Sequence, residues 1–308
     1  PAITAAFRNT RVRSEAYGGR IAFRYSAAGS QCEERMSLRR RLYTLVAAAT
    51  MPFVGILAFN ANERFSDAEE RAREEVITQV RLAAGAISEV LEGSRQLATA
   101  IGEHVREREA PAGACDSWIK SVLAQIPLYA LAAVVDLEGR TICASVPISR
   151  DVSAADRVYF KQALESDRIV PGTVQKGRAS GRPTLPVGLR YRDSGGRVAG
   201  VVILTIDPLV LTKLLEQKYV GKRGFSAVLD RDGTVAAISP DDYADLDPSE
   251  RAPPDLVRLG QSRETTQETV VLGGRRHFAA VVPVTLPPTD LAVVVGLDRD
   301  AILAGARR

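Results

Sequence analysis

The first strong signal along the chain is an apolar block without a charge, LYTLVAAATMPFVGILAFN, from Leu42 to Asn60. A helix of that length, at about 1.5 Å per residue, spans roughly the 30 Å hydrocarbon core of a bilayer. Arg39, Arg40 and Arg41 stand directly before it, whereas Glu63 and Arg64 cancel after it. The positive-inside rule therefore keeps the N-terminus cytoplasmic and sends everything after about Ala61 outward. A transmembrane helix over residues 42–60 is expected. A cleaved signal peptide and a buried core helix are the alternatives; no small-x-small cleavage site follows cleanly. Pro52 is tolerated as a kink within a membrane helix.

A second pattern follows at helical spacing. Residues 63–110 contain no proline before Ala110 and place apolar or small residues at Val76, Val80, Ala83, Ile87, Val90, Ser94, Leu97 and Ile101, ending at His104. The steps alternate four and three, as in a heptad seam, and predict a stalk helix of about 45 residues, nearly 70 Å. So long a helix needs a partner along its flank, either a second copy or the domains that follow. His104 is read as a packing or surface residue, and Ala110-Pro111-Ala112-Gly113 ends the helix.

Beyond that point the texture changes to short β-branched runs separated by turn residues. Ala133-Val134-Val135-Asp136-Leu137-Glu138-Gly139-Arg140-Thr141-Ile142 is echoed by Ala227-Val228-Leu229-Asp230-Arg231-Asp232-Gly233-Thr234-Val235, 94 residues later. Each predicts a β-hairpin. A third turn of this kind lies at Asp193-Ser194-Gly195-Gly196, and Pro208 to Tyr219 predicts a helix. Read as a calcium loop, Asp230-Arg231-Asp232-Gly233 has its glycine too early and lacks the closing Glu.

Composition narrows the field only a little. The chain has 308 residues, 45% hydrophobic and 25% charged, which allows about two folded domains. A net charge of +4 from 41 basic against 37 acidic residues gives no reason to expect a nucleic-acid partner. Residues 1–35 show no apolar period and predict a disordered or misassigned leader, with Met36 a possible natural start. No Gly-x-Ser-x-Gly elbow, phosphate-binding loop or zinc spacing is present, so neither an enzyme nor a cofactor is expected. A membrane-anchored hydrolase and a ligand-free scaffold remain the competing function classes.

One run of residues carries a specific likeness. Asp156-Arg157-Val158-Tyr159-Phe160, then Gly177-Arg178-Ala179-Ser180-Gly181-Arg182-Pro183, then Arg192-Asp193-Ser194-Gly195-Gly196-Arg197-Val198, resembles in pattern and order the membrane-distal module of the double Cache family. That family forms the extracellular sensor region of many bacterial chemoreceptors, histidine kinases and diguanylate cyclases. The resemblance covers roughly Arg64 to Arg308 and implies an α+β fold with two PAS-like modules on the stalk. A distal module is expected over 115–207, a linking helix over 208–221, a proximal module over 222–298, and a further helix beginning at 299–308. A second membrane helix and a cytoplasmic output domain are expected to follow.

The resemblance also implies a small-molecule site in the distal module. Arg157 and Tyr159 are its first candidates: guanidinium offers a fork of donors matched to a carboxylate, and tyrosine adds a hydroxyl on an apolar plate. Arg182 and Arg190 are expected to converge on the same anion, Tyr129 completes the set, and Phe160 is expected to pack. Amino-acid-binding members carry Trp-Tyr after their Arg, whereas this chain has Val158 in the Trp position and no assignable Asp for the ligand amine. An organic acid is therefore favoured over an amino acid. A homodimer at the membrane is the expected assembly.

Of the three cysteines, Cys32 precedes the apolar block, and Cys115 and Cys143 both fall in the part expected outside the cytoplasm. A Cys115–Cys143 disulfide is predicted there, with two unpaired thiols as the alternative.

Overall fold

A computed structural model describes residues 38–108, 115–149, 152–219, 224–239, 250–284 and 291–306. The leader over 1–35 and Cys32 lie outside them. The first helix, α1, is Leu38–Arg108. Residues up to Ile56 and the body from Leu57 onward form separate compact units. In the first, Leu42, Leu45, Val46, Met51, Phe53, Val54 and Ile56 are all more than half exposed, an apolar surface. Among the described residues no helix is long and apolar enough to cross a membrane. The side chains of Ala58 and of residues 60–62, at the end of the expected span, lie outside the described set.

The body from Leu57 holds two antiparallel sheets. After α2 (Asp116–Leu123), the first sheet is built from β1 (Tyr129–Asp136), β2 (Thr141–Ala144), β3 (Val170–Pro171), β4 (Gln175–Lys176), β5 (Pro183–Arg192) and β6 (Val198–Ile206), with α3 (Val158–Glu165) between β2 and β3. The linking helix α4 (Pro208–Tyr219) leads to β7 (Gly224–Leu229), β8 (Val235–Ser239), α5 (Pro254–Gly260), β9 (Thr266–Leu272), β10 (Arg275–Pro283) and β11 (Ala292–Asp298), and α6 (Arg299–Ala306) closes the described chain. Strand order is β2-β1-β6-β5-β3 in the first sheet, with β4 beside β5, and β8-β7-β11-β10-β9 in the second. With the short off-path strand β4 left out and the strands renumbered within each module, both orders read 2-1-5-4-3, so the hairpin echo in the sequence marks a repeated architecture.

The hairpin turns explain the repeat locally. In each, an Asp Oδ1 accepts the backbone N–H groups two and four residues on: at 3.0 and 2.8 Å for Asp136, and at 2.9 Å throughout for Asp193 and Asp230. The glycine three residues on takes the left-handed conformation, φ 75° at Gly139, 80° at Gly196 and 76° at Gly233, which a β-carbon disfavours. Oδ1 of Asp230 is thus committed to turn donors.

The body part of α1 is the common wall of both modules. Ala72, Ala84 and Ala86 are buried as well, and one line of sealed positions runs through Val76, Val80, Ala83, Ile87, Leu91, Ser94, Ala98, Ile101 and Val105. Eight steps from 76 to 105 give 29/8, or about 3.6 residues per turn, the period of a straight helix lying on a broad surface. The expected 3.5-residue seam therefore drifts: Val90 and Leu97 are only partly buried, and Leu91 and Ala98 take their places inside. The partner of this flank is the chain's own sheets. Tyr191 packs where Gly102 leaves room, a β-carbon there falling 2.8 Å from the Tyr191 Cβ. In the second module Gln267 donates to the Arg73 carbonyl at 3.0 Å, and Arg73 lies 5.0 Å over the Phe278 ring. His104 stacks on Trp118 with ring centroids 3.7 Å apart, a packing role. Cys115 and Cys143 form a disulfide, with Cα atoms 5.7 Å apart, joining the start of α2 to β2.

Candidate ligand-binding site

Period-two alternation gives the first sheet two different faces. On β5, Leu185, Val187 and Leu189 enter the core shared with α1, as do Val202, Leu204 and Ile206 on β6. The alternate residues, Thr184 and Pro186 on β5 with Ile203 and Thr205 on β6, face the other way and form the floor of a cavity of about 480 Å³. Ala133 and Val135 of β1 extend that floor. The walls come from residues 146–148 and 152–154, from the start of α3, and from residues 175–180.

Two of the five expected site residues line this cavity. Arg157 occupies the N-cap position of α3 with extended backbone, which turns its side chain away from the helix and toward the wall, where it donates to Gln175 Oε1. Tyr159 is the second residue of α3, its ring seated on small residues: a β-carbon at Gly172 would fall 2.8 Å from the Tyr159 ring, and one at Gly188 would fall 3.5 Å from it. The phenol is 8% exposed, and burial pushes its pKa up to about 12, so it stays a neutral donor. Among the described residues its hydroxyl has no hydrogen-bond partner.

The expected convergence of the other three does not form. Arg190 stands on β5 but its guanidinium turns to the far end of α3, with Nε donating to Asp167 at 2.7 Å and NH1 to the Leu164 carbonyl at 3.2 Å. That bond, with help from Arg192, holds the Asp167 carboxyl below its ordinary range. Arg182 is exposed in the β4–β5 turn, outside the lining. Tyr129 points to the opposite face, where its hydroxyl meets Ser94 Oγ of α1 at 2.9 Å. Phe160 is buried against Val135, Val170 and Val201, and Val158 is 52% exposed and outside the lining.

Sequence reasoning did not single out Gln175, Thr205 or Arg178 as site residues. Thr205 carried a legible signal, the one hydroxyl in the run VVILTI. Arg178 crosses the cavity mouth, donating to the Ser153 carbonyl at 2.6 Å and to Asp156 Oδ1 at 2.9 Å. The hydrogen bond from Arg178 holds the Asp156 carboxyl below its usual range. Gln175 had no sequence signal, because its role depends on which residue faces it. Among the described residues no group of three or more His, Cys, Asp and Glu side chains could hold a metal ion.

The Cache domain family profile matches residues 65–306, nearly the whole body that carries the two sheets. The chain belongs to the Cache-domain family. Its two-module Cache fold is also that of solved sensor domains. The extracellular domain of rpHK1S-Z16, described as a histidine kinase, aligns with a TM-score of 0.64 at 20% identity, covering 77% of this chain and 98% of that one. The ligand-binding domain of the Pseudomonas fluorescens chemoreceptor CtaA, solved with L-isoleucine, gives 0.61 at 16% identity over 78% and 98%. The sensory domain of the Campylobacter jejuni chemoreceptor Tlp3, with isoleucine bound, gives 0.59 at 12% identity over 77% and 97%. No curated protein matches this Cache chain in sequence.

Proposed function

We propose that this Cache protein is the extracytoplasmic ligand-sensing region of a membrane receptor, and that it binds a small carboxylate in the first, membrane-distal module. The observation that carries the reading is that Arg157 and the neutral Tyr159 hydroxyl, which has no hydrogen-bond partner among the described residues, line one largely apolar cavity. A carboxylate entering there exchanges water for a guanidinium fork and a phenol donor, both charge-assisted hydrogen bonds in a low-dielectric site. The CtaA and Tlp3 structures hold amino acids. An amino acid needs an acceptor for its ammonium as well; the described residues of the lining include no carboxylate, and the side-chain carbonyl of Gln175 there already accepts from Arg157. That difference supports an organic acid.

The membrane placement belongs to the same proposal. The uncharged stretch 42–60, its exposed side chains and the three arginines before it support a helix that crosses the bilayer, and the Cys115–Cys143 disulfide supports an oxidising compartment for the body. A homodimeric assembly is part of it and is read directly by light scattering in detergent.

The test is a thermal-shift screen against organic acids, amino acids and amines, since a ligand that binds only the folded state raises its melting temperature. The expected result is stabilisation by carboxylates that Arg157→Ala abolishes. Stabilisation by amines alone, or by none of the panel, overturns the assignment.

A further inference from the structure

The three Asp-x-x-Gly turns are alike in their first carboxylate oxygen and differ in their second. Asp136 Oδ2 accepts from Arg140 Nε at 2.7 Å, and Asp193 Oδ2 from Arg197 Nε at 3.1 Å, each within its own turn. The corresponding residue after Asp230 is Thr234, which has no guanidinium. Asp230 Oδ2 instead leaves the turn and accepts the backbone N–H of Val174 at 2.8 Å, across 56 residues and from the other module. Asp230 is 4% exposed, and burial pushes its carboxyl up against the downward pull of three backbone donors.

What Val174 adjoins gives this bond its meaning. The next residue is Gln175, whose Oε1 receives Arg157 and whose carbonyl accepts the Thr184 hydroxyl at 3.1 Å. The wall that receives the Arg157 guanidinium is therefore tied to a carboxylate of the second module.

We infer that Asp230 is a positioning residue for the first-module cavity, and that the Asp230–Val174 bond couples the cavity wall to the β7–β8 turn of the second module. This rests on the reading of that cavity as the ligand site. A ligand that draws Arg157 or Gln175 toward itself loads the bond, and by linkage any change at the turn alters the wall to the same extent.

Hydrogen exchange on the full chain without ligand tests it, comparing wild type with Asp230→Asn, Asp193→Asn and Gln175→Ala. Asparagine keeps an oxygen for the two turn amides but presents an NH₂ to Val174, a donor facing a donor. Wall amides not bonded to Asp230 are read relative to core amides of β11: Gly177, bonded to the Arg182 carbonyl, and Lys161, bonded to the Arg157 carbonyl. Losing a buried hydrogen bond predicts roughly fivefold to a hundredfold faster exchange at both in Asp230→Asn, with no change in Asp193→Asn. Acceleration confined to Val174 and the 230–234 turn overturns the coupling. Should Asp230→Asn not fold, Gln175→Ala decides from the other side: faster exchange at Asp232 and Thr234 supports the coupling, and unchanged rates refute it. Because no ligand is present, a failed carboxylate screen and a failed coupling are separate results.

Discussion

Replacing Leu91 and its neighbour Val90 by alanine, one at a time, separates a helix packed on its own sheets from a helix presenting a heptad seam. Leu91 is fully sealed in the core between α1 and the sheets. Truncation there removes buried carbons and leaves a cavity, which costs about 2–5 kcal/mol. Val90 is only partly buried. Its two carbons at half burial amount to about 1 kcal/mol, and alanine returns about half of that through better helix propensity. For a body of this size, about 3 kcal/mol corresponds to a fall in melting temperature of roughly 6–12 °C for Leu91→Ala, against about 2 °C or less for Val90→Ala. Urea denaturation followed by far-UV circular dichroism at two protein concentrations measures both. Equal costs, or a larger cost at Val90, refute a 3.6-residue packing line and restore the seam.

Three further outcomes follow from the same geometry. Burial lowers the pKa of His277, so its neutral form favours the native state. The stability it supports is present above about pH 6.5 and is lost as pH falls through the depressed native value, and the acid slope of the urea midpoint should flatten in His277→Gln. Reduction of Cys115–Cys143, which closes a 28-residue separation, should lower stability by about 3–4 kcal/mol in the chain-entropy model. A loss under about 1 kcal/mol in dithiothreitol melts, with the reduced state verified by thiol counting, would contradict it. Among the arginines, calorimetry should show Arg157→Ala weakening carboxylate binding roughly 10- to 150-fold, the value of a charge-assisted hydrogen bond, while Arg190→Ala changes it less than about twofold.

What was legible in the sequence was what is decided within a few residues. The Asp-x-x-Gly turns are of this kind: the carboxylate, its two amide donors and the left-handed glycine all lie within five positions, so three hairpin turns could be read before any sheet was known. The apolar composition of Val198–Ile206 fits the place the fold gives it, a strand in mid-sheet covered on both faces. The resemblance to the family likewise rested on short patterns in order, and the profile match over residues 65–306 bears it out.

The tertiary structure decided everything that turns on a distant partner. Val90 and Leu91, or Leu97 and Ala98, are equally apolar in sequence; eight helical steps of 3.5 and of 3.6 residues end only one position apart, and the curvature of the sheets chooses between them. Arg157 and Arg190 are the same side chain on adjoining elements. Asp167, 23 residues before Arg190, holds one of them to the far end of α3. Gln175, 18 residues beyond Arg157, leaves the other in the cavity. The three turn aspartates are locally alike, and only the packing of the second module against Val174 gives Asp230 a partner outside its own turn. Side-chain chemistry is written in the sequence, but the direction in which a charge points is set by which opposite charge or amide the fold brings within about 3 Å, and that is a property of the whole chain.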